Sequence, residues 1–174
     1  KQHFIGYWIE SKEECFDPGE FTLMDFNISQ EPGLGFVYVL PVSKTKALVE
    51  YTLFSRKLLS RKVYVQMIAD YLKNHLKVEA YSVVEKESGI IPMTMVPFNR
   101  MEGERIIHIG MTGGLSKPST GYTFQRIIED SKNIAQQWKQ GGEIVPKFPL
   151  NNRFRFYDRL LLHLIEHEPA VIPR

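Results

Sequence analysis

Half-cystines, long apolar runs and a strong charge of either sign are all missing from this sequence. Cys15 is the only cysteine, so no internal disulfide can form, which fits a reducing compartment. No apolar run approaches the ~20 residues that a membrane-spanning helix needs. Lys and Arg number 22 against 20 Asp and Glu, so the formal net charge is +2. With the basic residues scattered, that balance argues against a nucleic-acid partner. Absent too is a G-x-G-x-x-G turn after a strand, which would bring backbone and a helix N-terminus against a pyrophosphate. Lys1-Gln2-His3 leads straight into apolar residues with no signal-peptide pattern. The first residue is not Met and the chain opens in apolar residues, so we expect an excised or processed piece of a longer protein. Internal repeats and low-complexity stretches are lacking.

What is present suits a globular fold. The 174 residues are 43% hydrophobic and 12% aromatic, enough to bury a core. Strands are expected at His3–Glu10, at Phe21–Ile28 with Phe21, Leu23, Asp25 and Asn27 on one face, at Gly35–Val42 and at Ala47–Ser55. Asp17-Pro18-Gly19 and Glu31-Pro32-Gly33 are breaks between them. Val63, Met67, Ile68, Tyr71, Leu72 and His75 recur at three-to-four spacing, so Ser60–Leu76 reads as an amphipathic helix. Val78–Lys86 is strand-like, with Gly89–Met93 after it, and Arg105–Ile109 is a short buried strand. A helix over Thr120–Lys139 is stopped by Gly141-Gly142, and a last helix covers Asn151–Glu168 with an apolar stripe at Leu160–Leu164. The fold class is α+β. Residues 1–100 form an antiparallel or mixed sheet with a packed helix. Residues 101–174 form the last strand–loop–helix of a doubly wound domain and a terminal helix.

Three places carry candidate chemistry. Gly110, Gly113 and Gly114 lead to Pro118-Ser119-Thr120-Gly121 at a helix start. Such glycines let backbone approach a flat or anionic ligand, although a glycine turn with a Ser/Thr cap would look the same. Glu50 sits in an apolar strand, on the face of Leu48, Thr52 and Phe54. It is either an edge residue facing water or a desolvated carboxyl, and desolvation raises a carboxyl's pKa into the range of a general acid. Asp25 follows the same logic on a neighbouring strand, or it hydrogen-bonds a turn. His163-Leu164-Ile165-Glu166-His167 fits the H-x-x-E-H zinc pattern, but no third ligand is evident, so no metal site is assigned. Arg153-Phe154-Arg155-Phe156-Tyr157 alternates basic and aromatic residues and suits a membrane surface or a partner better than RNA.

The run Ile109–Phe124 (IGMTGGLSKPSTGYTF) resembles the lycopene cyclase family, whose plant members carry a Gly-rich turn followed by H-P-S-T-G-Y. Gln2–Gly6 is similar to that family's Q-x-x-x-G, Leu23–Phe26 to its M-D-W/F strand, Phe36–Pro41 to F-x-Y-x-x-P and Ile91–Met93 to I-P-M. Leu48–Thr52 resembles F-L-E-E-T, keeping the first acid as Glu50 and replacing the second by Tyr51. The resemblance implies a bacterial-type lycopene beta-cyclase: redox-neutral acid/base closure of a linear carotenoid's ends to ionone rings, lycopene to beta-carotene. It implies reduced FAD as cofactor, with NAD(P)H as the electron source. Residues 1–100 would be the substrate domain and 101–174 the end of the FAD domain. Gly113, Gly114, Pro118, Ser119, Thr120 and Gly121 would face the cofactor, Glu50 would be the catalytic acid or base, and Asp25 would support it. Met111 departs from the Asp that related flavoproteins place on the ribityl hydroxyls. Phe4, Tyr7, Trp8, Phe36, Tyr38 and Phe54 could surround a cation. The implied setting is cytoplasmic, peripheral at the membrane, with an apolar carotenoid substrate and no nucleic acid. Without an ADP-binding turn, this segment alone is expected to hold FAD poorly and to be inactive. An FAD-dependent reductase or hydroxylase acting on an isoprenoid, or a non-catalytic ligand-binding domain, are the competing readings.

Overall fold

A computed structural model describes residues 1–141, 143–146 and 152–172. Among the described residues it is a mixed α/β chain with an antiparallel sheet and three α-helices, and it divides into two compact units. One comprises Lys1–Ile91 with Leu164–Arg174, the other Pro92–His163.

The first unit is built on β1 (Gln2–Ser11), β2 (Thr22–Asp25), β3 (Leu34–Pro41), β4 (Lys46–Phe54) and β5 (Tyr81–Ile91), in the order β2-β3-β4-β1-β5. Every pairing is antiparallel, so the sheet is not mixed. Alternation puts Tyr7, Ile9, Val37, Val39, Val49, Tyr51 and Leu53 on one face. There they pack against Tyr64, Ile68, Tyr71 and Leu72 of α1 (Arg61–Asn74). The three-to-four spacing of those helix residues is what makes one buried stripe.

Two strand expectations change. The segments at Val78–Lys86 and Gly89–Met93 are one continuous strand, β5, because its whole length pairs with β1. Phe21–Ile28 shrinks to four residues. Met24 adopts φ 52°, the register with β3 shifts between Thr22 and Asp25, and Phe21 and Leu23 are exposed.

In the second unit, β6 (Met101–Glu102) and β7 (Ile106–Ile107) form a two-stranded antiparallel ribbon. The strand expected before the glycine loop is therefore neither buried nor part of a parallel sheet: Ile106 is 53% and Ile109 61% exposed. Among the described residues no parallel pair occurs; a strand (β7), the glycine loop and a helix follow one another in the expected order. That helix, α2, spans Phe124–Gln140 and starts four residues later than Thr120, since Lys117–Gly121 is closed into its own turn by hydrogen bonds from Thr120 and Gly121 N–H to the Lys117 carbonyl. Gly141 ends it, and Gly142 lies outside the described residues. The last helix, α3, covers Asn152–His167.

Candidate functional site

Cross-strand register decides what surrounds Glu50. Tyr38 on β3, Glu50 on β4, Gly6 on β1 and Glu87 on β5 lie in one row across four strands. Side chains directly opposite share a face, so this row lies on the sheet face turned away from α1. Thr52 Oγ1 donates to Glu50 Oε1 at 2.8 Å. Burial, as the largest cause, pushes the Glu50 carboxyl up to about 7. The Thr52 bond pulls the other way, while the charge of Glu87 and a hydrogen bond with it push further up. Burial and the Glu50 charge also raise the Tyr38 phenol.

The same face carries rings. Phe36 sits 5.2 Å from Tyr38, 5.4 Å from Phe26 and 5.6 Å from Phe54, centroid to centroid. Phe4 and Trp8 share this face by their pairing with Thr52 and Leu48. Tyr7 does not: it belongs to the core under α1. A face of rings beside a neutral carboxyl can donate a proton and bear a neighbouring cation.

Asp25 is elsewhere. It pairs with Val37, whose side chain is in the α1-facing core, so Asp25 and Glu50 lie on opposite faces. Asp25 Oδ2 accepts from Tyr71 Oη at 2.6 Å, and its Oδ1 accepts from the Asn27 N–H at 2.9 Å. Burial, and then the Asp25 bond, raise the Tyr71 phenol. The carboxyl thus ties β2 and its turn to the helix and is not part of the Glu50 row.

The glycine loop is packed mostly on itself. A Cβ on Gly113 would lie 2.3 Å from the His108 carbonyl oxygen, so its smallness serves an internal contact. Gly114 and Gly121 hold φ of +71° and +70°, and Gly114 packs on Phe98. Ser119, 1% exposed, donates to Asp158 Oδ1 of α3 at 2.5 Å, and Lys117 Nζ bonds both Ser119, at 2.6 Å, and Asp158. Pro118 is half-buried, and Thr120 is exposed. Below the loop, buried Arg100 pairs with buried Asp130 at 2.7 Å and donates from Nε to the His108 carbonyl at 3.1 Å. None of Glu87, Gly6 or Asp158 follows from periodicity. The one available signal was a glycine in the middle of an aromatic strand, which marks a close approach.

The family model described as lycopene cyclase protein matches residues 1–165. The chain belongs to the lycopene cyclase family. Neoxanthin synthase of Solanum tuberosum is 32% identical over 149 residues, 78% of this chain and 29% of that protein. Lycopene beta-cyclase of Pseudescherichia vulneris is 28% identical over 137 residues, covering 76% and 34%. The chain thus spans about a third of the length of these curated relatives. Among solved structures, a geranylgeranyl bacteriochlorophyll reductase-like protein from Thermoplasma acidophilum superposes with TM-score 0.58 at 13% identity, over 98% of this chain and 41% of that one, a likeness of fold.

In this lycopene cyclase family chain, Tyr51 stands where the resemblance has a second acid. Tyr51 faces the α1 core with its hydroxyl unpartnered among the described residues, so the replacement leaves the Glu50 face unaltered. The loop offers a flavin two backbone N–H groups and the exposed Thr120 side chain. Gly113, Gly114 and Leu115 N–H groups are taken by the carbonyls of Ile109, Met111 and Gly110, while the Met111 and Thr112 N–H groups have no partner among the described residues. No carboxylate lies between Gly110 and Gly121, and Met111 and Tyr122 offer exposed apolar surface. In the H-x-x-E-H run, Glu166 forms an ion pair with Arg56. Among the described residues no cluster of three His, Cys, Asp or Glu could hold a metal, and no helix is long and apolar enough to cross a membrane.

Proposed function

We propose that this chain belongs to an enzyme that closes the linear ends of a carotenoid, lycopene to beta-carotene, by redox-neutral acid/base chemistry. The observation that carries this reading is Glu50, a carboxyl lifted to about 7 on a ring-lined sheet face. At neutral pH such a group holds a proton to give and can take one back. Protonation of a terminal C=C makes a carbocation, attack by a neighbouring double bond closes the ring, and loss of a ring proton restores neutrality. Thr52 holds the carboxyl, and Phe36, Tyr38 and Phe54 turn electron-rich rings toward the same space. Reduced FAD, with NAD(P)H as electron source, would supply negative charge that stabilises the cation when bound. Met111 and Thr112 amides and the exposed Thr120 are the groups of this chain best placed to hold it, with Gly113, Gly114, Pro118, Ser119 and Gly121 shaping the loop.

The test is Glu50→Gln in the full-length protein, expected to abolish lycopene consumption with FAD still bound. Retained turnover would sink the assignment. Product mass separates cyclisation, which leaves it unchanged, from reduction or hydroxylation. Peripheral membrane association belongs to the same proposal and is supported by exposed Phe154, Phe156 and Tyr157 on α3 beside Arg153 and Arg155. A liposome flotation without binding would count against it.

A further inference from the structure

Glu50 is half-buried, and a second carboxyl beside it offers a route for proton resupply from water. The row Glu50–Gly6–Glu87 supplies one. Gly6 has no side chain, and the space its Cβ would take is filled by Glu87, whose Cγ lies 2.9 Å and Oε1 3.0 Å from that position. The Glu87 side chain therefore folds inward over β1, toward Glu50 on the next strand, rather than out along the sheet edge. β5 is the outermost strand, and Glu87 on it is exposed to water.

We propose that Glu50 and Glu87 are a proton-sharing carboxyl pair bridging the gap left by Gly6, and that Glu87 relays protons between Glu50 and bulk water. Two carboxyls in contact across a glycine hold one proton between them more readily than none, because two like charges at short range oppose joint ionisation. When the shared proton goes from Glu50 to substrate, Glu87 takes a proton from water and passes it to the Glu50 carboxylate, which restores the pair. No electrons move, and the proton count closes when the ring proton is released. The other titratable groups on this face are Tyr38 on β3, Lys46 on β4, Glu10 on β1 and Glu85 on β5. None of them has a glycine opposite to let it reach Glu50. Tyr38 adjoins Glu50 directly, but its phenol is held protonated by the same burial. The relay rests on the cyclisation reading, whereas the pairing does not.

The experiment is a carboxyl-carbon NMR titration of the full-length protein labelled at glutamate, run beside the pH profile of kcat for lycopene. Glu87→Gln should lower the Glu50 midpoint, since a charge and a shared proton are removed. It should move the alkaline limb of kcat down with it, by about tenfold in rate for each pH unit at high pH. Gly6→Ala, which displaces Glu87, should shift the midpoint the same way, and Glu87→Asp should retain part of the wild-type profile. A Glu50 midpoint unmoved by Glu87→Gln overturns the pair. A midpoint that falls while the kcat profile stays fixed overturns the relay. Paired titration in a protein that never consumes lycopene supports the pair and refutes the cyclisation reading together with the relay.

Discussion

Replacing Glu50 by Gln should stabilise the protein while removing its proposed chemistry. The carboxyl has an ordinary value of 4.5 and about 7 in the fold, chiefly through burial. Each pKa unit is worth about 1.36 kcal/mol, so holding the ionised form in place costs roughly 3 kcal/mol. The sign follows from which state binds the proton more tightly. Below pH 4.5 both states are protonated and the cost is nil. As pH rises from 4.5 to 7 the unfolded chain ionises first and the fold loses stability, and above 7 the whole cost is present. Gln has the same shape, never ionises and still offers an oxygen to the Thr52 hydroxyl. Urea unfolding followed by Trp8 fluorescence, in a Trp138→Phe background, reads the first unit. Wild type and Glu50→Gln should coincide near pH ~4 and separate by roughly 3 kcal/mol near pH ~8.5, the variant being the more stable. Parallel stabilities across that range would refute the buried-acid argument.

Asp25→Asn should weaken the fold by about 1–2 kcal/mol through the lost charged acceptor for Tyr71, and leave lycopene turnover within a few-fold, as read by denaturation and product assay. Arg100→Met leaves Asp130 buried without its partner and should cost about 3–5 kcal/mol, seen as lost hydrogen-exchange protection along α2. Gly113→Ala forces a methyl onto the His108 carbonyl and should destabilise the loop by at least ~1–3 kcal/mol, read by thermal unfolding.

Period-two and period-3.6 patterning located β1, β3, β4 and α1, because each buries one face and the pattern records which. The same periodicity placed Glu50 with Leu48, Thr52 and Phe54. The sequence of the glycine loop was enough for the family. What it did not contain was who stands opposite whom. A strand's alternation is silent about its partners, and register is set by non-local pairing. Only the assembled sheet put β5 beside β1, and so Glu87 across Gly6 from Glu50. Only the register at Val37 sent Asp25 to the helix side. Likewise Asp158, far along the chain in α3, holds Ser119 and gives the loop its internal anchor. Local residue order thus determined the elements and the acid's face, while tertiary packing decided the acid's companions, since desolvation and like-charge contact exist only once distant strands meet.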